Sequence, residues 1–444
     1  MALITKAVRG TRDVLPGESQ ELRWLERVAL ETAEAFGYFE IRTPVFEHTE
    51  LFERSVGDTT DVVQKEMYTF RDKGDRSITL RPEGTAGVAR ACLEHGLLAE
   101  ALPQKVSYIT TCYRYEKPQS GRQREFTQFG VECFGAASPA ADAELISLAT
   151  TFYATVGLES YRLEINSIGC PACRAHYLDE LRKYFRTRED NLCPTCLDRL
   201  DRNPMRILDC KSPICAAEAA LAPRITEYLC EECAAHFTGV KTLLEQLEIP
   251  YMVNPRVVRG LDYYTRTVFE FVSELPQTDG LVIGAGGRYD GLIEELGGQH
   301  LPSLGFGLGL DRSWMHLRAA EAALPERRRC DLFLATRGET ALAAAARYAF
   351  ELRGDGVMAL YDVTGRSLKA QMKYADKVKA RFTAVLGEEE LACGTAKLKH
   401  MADGSEETIS LSNFAEELEQ HLLHSEEASL FELFSGFESI KEDS

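Results

Sequence analysis

The sequence predicts an α+β protein: a large domain carrying a helical insertion, followed by a small α/β domain. Three observations carry that expectation. The chain opens with an amphipathic helix pattern, its middle holds β-branched and aromatic runs separated by polar loops, and Cys330 to Leu422 alternates strand and helix patterns. A chain of 444 residues also exceeds what one hydrophobic core usually organises. The expected division is a first domain over 1–325 with an insertion at about 170–240, a second over 330–425, and an acidic tail over 426–444.

Taken in order, Gly17 to Gly37 reads as a helix, with Leu22, Leu25, Ala29, Ala33 and Phe36 at helical spacing and Gly37 as the stop. Ile41 to Phe46 is strand-like despite its proline. Between Ser107 and Gly135 two β-rich runs flank a charged loop around Lys117 to Arg124, the pattern of antiparallel strands joined by a long loop. From Cys170 to about His236 the texture changes, because eight of the thirteen cysteines fall there among short helical patterns. Val257 to Phe271 and Gly280 to Ile283 again read as strands, and Pro325 to Arg329 as a linker.

Composition narrows the class. Hydrophobic residues at 45% and charged residues at 27% match ordinary globular domains, and no uncharged apolar run is long enough to cross a bilayer. Met1 to Asp13 carries Lys6, Arg9 and Arg12 without a sustained apolar stretch, which is not a secretory signal, so a cytoplasmic protein without a membrane partner is expected. The net charge of −18 means that any polyanion must meet a local basic patch rather than the whole molecule's field.

Two segments carry the chemistry. Tyr113-Arg114-Tyr115-Glu116, followed by Phe126, sets an arginine at the end of one strand and an aromatic at the start of the next, able to hold a nucleotide by charge and by ring. Lys117, Arg122 and Arg124 make the loop between them basic; the plainer reading is a solvated hairpin. Gly305-Phe306-Gly307-Leu308-Gly309-Leu310-Asp311-Arg312 adds glycines that permit close backbone approach and a second arginine, although alternating glycines also serve a packed strand. Together they form a two-point phosphate clamp.

Two further features stand apart. Cys170-Pro171-Ala172-Cys173 and Cys193-Pro194-Thr195-Cys196 have the spacing of one four-thiolate zinc site, with Cys210, Cys215, Cys230 and Cys233 completing a second or competing for the first; the alternative is buried thiols acting as small hydrophobes. Lys369, Lys373, Lys377 and Arg381 recur every four residues, opposite Leu368, Met372, Ala375 and Val378. Such a stripe is either a solvated face or, in so acidic a protein, an RNA contact.

With these residues in view, the chain resembles the class II aminoacyl-tRNA synthetases, with Pro44 in the first family motif, Arg114 to Phe126 in the second and Gly305 to Arg312 in the third. Arg259-Gly260-Leu261-Asp262-Tyr263-Tyr264 and Ala285-Gly286-Gly287-Arg288-Tyr289-Asp290-Gly291 resemble the signatures of the histidyl-tRNA synthetase family in particular. Arg9 to Asp13, Leu80 to Thr85 and Thr364 to Lys369 extend the match over nearly the whole chain. Asp311 stands where a glutamate is commoner, a shortening that keeps the charge.

The resemblance implies an antiparallel β-sheet core flanked by helices, an anticodon-binding C-terminal domain, and a homodimer joined partly through the first motif. It implies the ligation of L-histidine to tRNA(His) with ATP and Mg2+, by way of histidyl-adenylate, and the synthetase chemistry itself requires no zinc. Arg114 would take the α-phosphate of ATP, Glu116 and Phe126 the adenine, and Arg312 the γ-phosphate. Histidine would lie among Glu83, Thr85, Gln128, Glu132, Arg259, Tyr263, Tyr264 and Tyr289: acceptors at Glu83 and Thr85 for its ammonium, donors at Gln128 and Arg259 for its carboxylate, and Glu132 with Tyr264 for the imidazole. Arg114 and Arg259 would flank the α-phosphorus from opposite sides. Arg366, Lys369, Lys373 and Lys377 would face the tRNA. The competing reading is the synthetase-like regulatory subunit of ATP phosphoribosyltransferase, a relative that lacks the C-terminal domain.

Overall fold

A computed structural model describes residues 5–57, 60, 62–119, 121–325 and 330–423; the acidic tail and most of the expected linker lie outside these. The chain divides into two compact units, one up to residue 326 and one from residue 327.

The first unit is organised by an eight-stranded sheet in the order Phe39–Glu40, Gln104–Tyr113, Glu125–Phe134, Ser303–Gly309, Val282–Arg288, Thr265–Ser273, Tyr161–Ser167, Met252–Val253. The six inner strands are antiparallel to their neighbours and the two short edge strands are parallel. Gln104–Tyr113 and Glu125–Phe134 pair from Tyr113↔Glu125 to Gln104↔Phe134, with the charged loop at their closed end.

Strand alternation gives this sheet two different faces. Phe129, Val131, Leu304, Phe306, Leu308, Phe269 and Phe271 point into one core. There they meet Leu25, Val28, Ala29 and Ala33 of helix Glu18–Ala35, and the apolar side of helix Pro139–Thr155. Helix Glu231–Gln246, partly inside the expected insertion, sends Phe237, Val240 and Leu244 into that same core. The opposite face is a floor of small residues. The register sets Gly305, Gly307 and Gly309 beside Glu132, Gly130 and Gln128, and Gly307 beside Ala285.

Two strand expectations are corrected. Ile41 to Phe46 is not one strand: Phe39–Glu40 and Phe46–His48 join different sheets. Pro44 has no amide to donate between them, and the carbonyls of Thr43 and Pro44 accept instead from Arg81 at 3.0 and 3.1 Å. Of Val257 to Phe271, only the part within Thr265–Ser273 pairs as a strand. Residues 257–264 form a loop held by side contacts, the Val257 carbonyl accepting from Asn166 at 3.0 Å and the Asp262 amide donating to the Val56 carbonyl at 3.1 Å.

Between Ser167 and the strand Met252–Val253 the insertion runs through helices Pro171–Arg186, Pro194–Arg202 and Pro213–Ala220 before helix Glu231–Gln246. Tyr177, Leu181, Phe185 and Leu200 share a second core with Val257, Tyr263, Tyr264 and Tyr289.

The second unit is a five-stranded sheet in the order Ala359–Tyr361, Leu332–Thr336, Phe382–Leu386, Thr395–His400, Glu406–Ser410. Its first three strands are parallel and are linked through helices Glu339–Gly354 and Leu368–Lys377.

Candidate active site

The floor of small residues exists to let a carboxylate and a tyrosine approach the backbone. A Cβ added at Gly305 would lie 1.8 Å from Oε2 of Glu132, and one at Gly130 would lie 2.2 Å from the ring of Tyr108. Glycine alone leaves that space open.

Glu132 is fully buried and is met from three sides. Its carboxylate accepts from the Thr85 hydroxyl at 2.7 Å and the Tyr108 hydroxyl at 2.9 Å on one oxygen, and from the Tyr289 hydroxyl on the other. Burial pushes its carboxyl up to about 8, against the pull of those three donors. Beside it, Glu83 accepts from the backbone amides of Thr85 and Ala86 at 2.8 Å each, at the start of helix Thr85–Glu94. Burial raises its carboxyl as well.

Three tyrosines pack together beside this carboxylate. Tyr263 packs on Tyr264 with ring centroids 4.7 Å apart and planes tilted by 44°, and meets Tyr289 edge-on at 5.5 Å. Arg259 lies over the Tyr264 ring and pairs with Glu270, which shares the sheet's small-residue face. Burial works against its charge, but Glu270 and the tyrosines outweigh that and hold its pKa up. Its Nε is buried without a hydrogen-bond partner among the described residues.

A cavity of about 750 Å³, counting its open mouth, meets this cluster at Arg259. Its lining brings together Arg114, Glu116, Phe126, Gln128, Arg259 and Arg312 from four separate stretches of sequence. Arg114 donates to the Pro82 carbonyl at 2.8 Å and lies over the Phe126 ring at 5.4 Å. Arg312 donates to the carbonyls of Gly121 at 2.8 Å and Val282 at 2.7 Å. Burial, reinforced by Arg122 and Arg114, lowers its pKa to about 10. The cavity is therefore a partly desolvated concentration of positive charge, suited to a phosphate chain.

Asp311 accepts from the Thr127 amide at 2.7 Å and pairs with Arg12 at 3.5 Å, so the shorter side chain still ties the glycine-rich strand's end to its neighbour. The Gly10 carbonyl in turn accepts from the Arg124 amide at 2.7 Å.

Most of the expected residues thus converge, with differences in detail. Tyr264 faces Arg259, while the hydroxyls bonded to Glu132 are those of Tyr108, Thr85 and Tyr289. The Thr85 proton is directed at Glu132, so only its oxygen lone pairs can serve an ammonium. Tyr108 and Glu270 carry no signal in the sequence, since neither sits in a recognisable motif. Arg288 lies inside a quoted signature, yet it is buried away from the pocket, pairing with Asp142 at 2.5 Å and Asp290 at 3.3 Å, while His236 also contacts Asp142 at 3.2 Å. It braces the sheet against helix Pro139–Thr155.

The expected set Cys170, Cys173, Cys193 and Cys196 is not one cluster. Cys170 and Cys173 gather with Cys230 and Cys233, whereas Cys193 and Cys196 gather with Cys210 and Cys215. The two Cys-x-x-C pairs open different helices, Pro171–Arg186 and Pro194–Arg202, which separates them. In the second unit, Lys369, Lys373 and Lys377 lie exposed on helix Leu368–Lys377. Arg381 falls beyond that helix and pairs with Asp331 at 3.5 Å, so it is not part of the stripe. Arg366 stacks on the Tyr374 ring at 4.2 Å.

Comparison with known proteins gives the family. Residues 10–312 match the histidyl-tRNA synthetase family and residues 331–421 match the anticodon binding domain family. A histidine–tRNA ligase of Acetivibrio thermocellus is 50% identical over 94% of this chain and 100% of its own length. The crystal structure of apo S. aureus histidyl-tRNA synthetase superposes with a TM-score of 0.80 at 40% identity, covering 94% of this chain and all of that one. A structure titled as an ATP phosphoribosyltransferase regulatory subunit/histidyl-tRNA synthetase from Bacillus halodurans shares the fold, with a TM-score of 0.63 at 22% identity over 87% of this chain and 99% of its own. No helix among the described residues is long and apolar enough to cross a membrane. By the breadth of the family match and the identity to its curated members, the chain belongs to the histidyl-tRNA synthetase family.

Proposed function

We propose that the protein is a histidine–tRNA ligase, which activates L-histidine with ATP to histidyl-adenylate and pyrophosphate and then transfers histidine to the terminal adenosine of tRNA(His). One observation carries this reading: a fully buried carboxylate, Glu132, ringed by hydroxyls, opens beside a cavity lined by three guanidinium groups. The first suits an imidazole and the second a triphosphate.

In activation, an oxygen of the histidine carboxylate attacks the α-phosphorus and the bond to pyrophosphate breaks. Negative charge grows on that phosphorus, and preorganised cations lower the barrier. Arg114 and Arg259 stand for this role. Arg259 is fixed by Glu270 and keeps a buried Nε free to donate. Phe126 offers a ring to adenine and Arg312 a charge to the γ-phosphate. Glu132 exchanges a hydrogen bond with the imidazole, and its raised pKa lets a single proton be shared between the two groups. Magnesium bound with ATP would supply charge neutralisation at the outer phosphates. Of the residues lining the cavity, the carboxylates Glu116 and Asp311, which pair with Arg122 and Arg12, would be the protein groups available to hold it.

For tRNA, the exposed Lys369, Lys373 and Lys377 with Arg366 offer a basic face within an acidic chain. A cytoplasmic homodimer follows from the family reading. Exposed Phe39, Val45 and Phe46 flank Pro44, and apolar side chains in water there suit a subunit contact through the first motif.

The purified protein should exchange pyrophosphate into ATP only when histidine is present. Exchange that is absent, or equal with other amino acids, would overturn the ligase reading and leave the regulatory-subunit one.

A further inference from the structure

We propose that the helical insertion carries two structural zinc ions in nested four-thiolate sites: an outer site at Cys170, Cys173, Cys230 and Cys233, and an inner site at Cys193, Cys196, Cys210 and Cys215. Within each set all four sulfur atoms lie within 4.8 Å of one another. A tetrahedral zinc with bonds of about 2.3 Å sets its sulfurs about 3.8 Å apart. Sγ of Cys170 and Cys173 are 3.6 Å apart, and Sγ of Cys193 and Cys210 are 3.9 Å apart.

Other fates of the thiols fit less well. A disulfide needs its sulfurs at about 2.05 Å and joins two of them, whereas four converge here on one point and every cysteine is unpaired. A multi-iron cluster spreads its ligands around a cube of iron and sulfide, wider than either set. The backbone also prepares for charge on sulfur. The Cys230 amide donates to Sγ of Cys173 and the Cys193 amide to Sγ of Cys215, both at 3.1 Å, and each bond crosses from one half of its set to the other.

The local fold needs such a centre. Helices Pro194–Arg202 and Pro213–Ala220 are 9 and 8 residues long, too short to persist without tertiary anchorage. Metal binding supplies that anchorage as folding energy. The outer site ties the insertion's departure at Cys170 to its return at Cys233, and the inner one gathers the middle.

Both sites sit behind the active-site loop. Next to the outer set, Arg174 donates to the Tyr264 carbonyl at 2.9 Å. Just past the inner set's first helix, Asn203 donates to Asp262 at 3.2 Å. The zinc ions therefore hold the platform on which Arg259 to Tyr264 rests, a positioning role that makes no contact with substrate.

The test uses the full chain, purified with thiols reduced and dialysed exhaustively against metal-free buffer. Elemental analysis should find two zinc ions per chain, and cobalt(II) exchanged into both should show the intense visible bands of tetrahedral thiolate ligation. The pair Cys193→Ser, Cys215→Ser should retain one ion, while Cys393→Ser, outside both sets, should retain two. Should the inner-site variant fail to fold, titration of the wild-type chain with a mercurial decides: each zinc should be released with the reaction of four thiols. One ion or none in the wild-type chain, iron in place of zinc, or release with a different thiol count would overturn the proposal. These readouts do not depend on ligase activity, so they stand or fall apart from the functional reading.

Discussion

The pocket proposed for the amino acid and the cavity proposed for the nucleotide share one sheet face but are built on opposite electrostatic plans. Around Glu132 the donors and acceptors belong to side chains that satisfy one another before any ligand arrives: Thr85, Tyr108 and Tyr289 all point at one carboxylate. Around Arg114 and Arg312 the guanidiniums rest on backbone carbonyls of Pro82, Gly121 and Val282, and burial with mutual repulsion lowers the pKa of Arg312. The first end is internally hydrogen-bonded, burial pushes its carboxyls toward the neutral form, and it gains selectivity from its geometry. The second stores unfavourable charge that a polyanion relieves. Selectivity and driving force are thus assigned to different ends of the site.

Arg259 stands between the two and offers the hardest test of the division. Arg259→Ala should lower the rate of pyrophosphate exchange by about a hundredfold to a thousandfold, the usual cost of one preorganised donor. ATP binding should weaken much less, because the charge it meets grows in the transition state. Arg259→Lys should recover only part, since one ammonium cannot bridge carboxylate and phosphate together. An effect confined to the Michaelis constant for histidine would move Arg259 wholly to the amino-acid end.

Glu132→Gln probes the neutral end. Losing a hydrogen bond to a charged partner costs about 1.5–3 kcal/mol, so the Michaelis constant for histidine should rise by about tenfold to a hundredfold. Stability should respond to pH as well. The folded chain keeps the Glu132 proton up to about pH 8, whereas an unfolded one releases it near 4.5. The contribution from that proton is complete below the lower value and fades as pH rises through the upper one. Denaturation of the ligand-free protein from about pH 5 to about pH 9 should therefore show a decline that Glu132→Gln flattens. A decline of equal slope in the variant would assign it to other groups.

Much of this contrast was legible in the sequence, for physical reasons that differ by element. The hairpin Gln104–Tyr113 and Glu125–Phe134 declares itself because its runs are long and alternate, and its loop is too charged to be buried. The loop over residues 257–264 does not, because Val257, Val258, Tyr263 and Tyr264 favour strands locally, while Asn166 and Val56, which bond Val257 and Asp262, are far away in sequence. The cysteines fail in a similar way: Cys-x-x-C spacing marks each pair, but which pairs share a centre depends on how the intervening helices turn. Tyr108 carried no signal at all, since its importance comes from two glycines, Gly84 and Gly130, that make room for its ring.

Phe126→Ala should have a smaller effect at the nucleotide end. Base stacking on an aromatic ring contributes about 1–3 kcal/mol, so the Michaelis constant for ATP should rise by about tenfold with that for histidine unchanged. A matching rise for histidine would show that the two ends are coupled through the strand Glu125–Phe134.

The smallest expected effect lies in the other unit. Lys373→Glu with Lys377→Glu should weaken tRNA charging several-fold while pyrophosphate exchange stays at the wild-type rate. Each lost phosphate contact should also flatten the dependence of log affinity on log salt by about 0.7–0.9. An unchanged slope would make the helix a solvated face.

The contacts of Arg12 and Glu21 have a consequence for how the chain is made. Arg12 pairs with Asp311, and Glu21 accepts from the Trp314 indole at 2.7 Å, across 299 and 293 residues of sequence. At a synthesis rate of about 5–20 residues per second, the first helix leaves the ribosome roughly 15–60 s before the helix it must pack against. During that interval Leu25, Val28 and Ala29 lack their packing partners from that later helix, Leu310–Ala319. The nucleotide cavity is completed only when residues 312 to 315 emerge, so a nascent chain stalled earlier should leave one side of its first helix uncovered and bind no ATP.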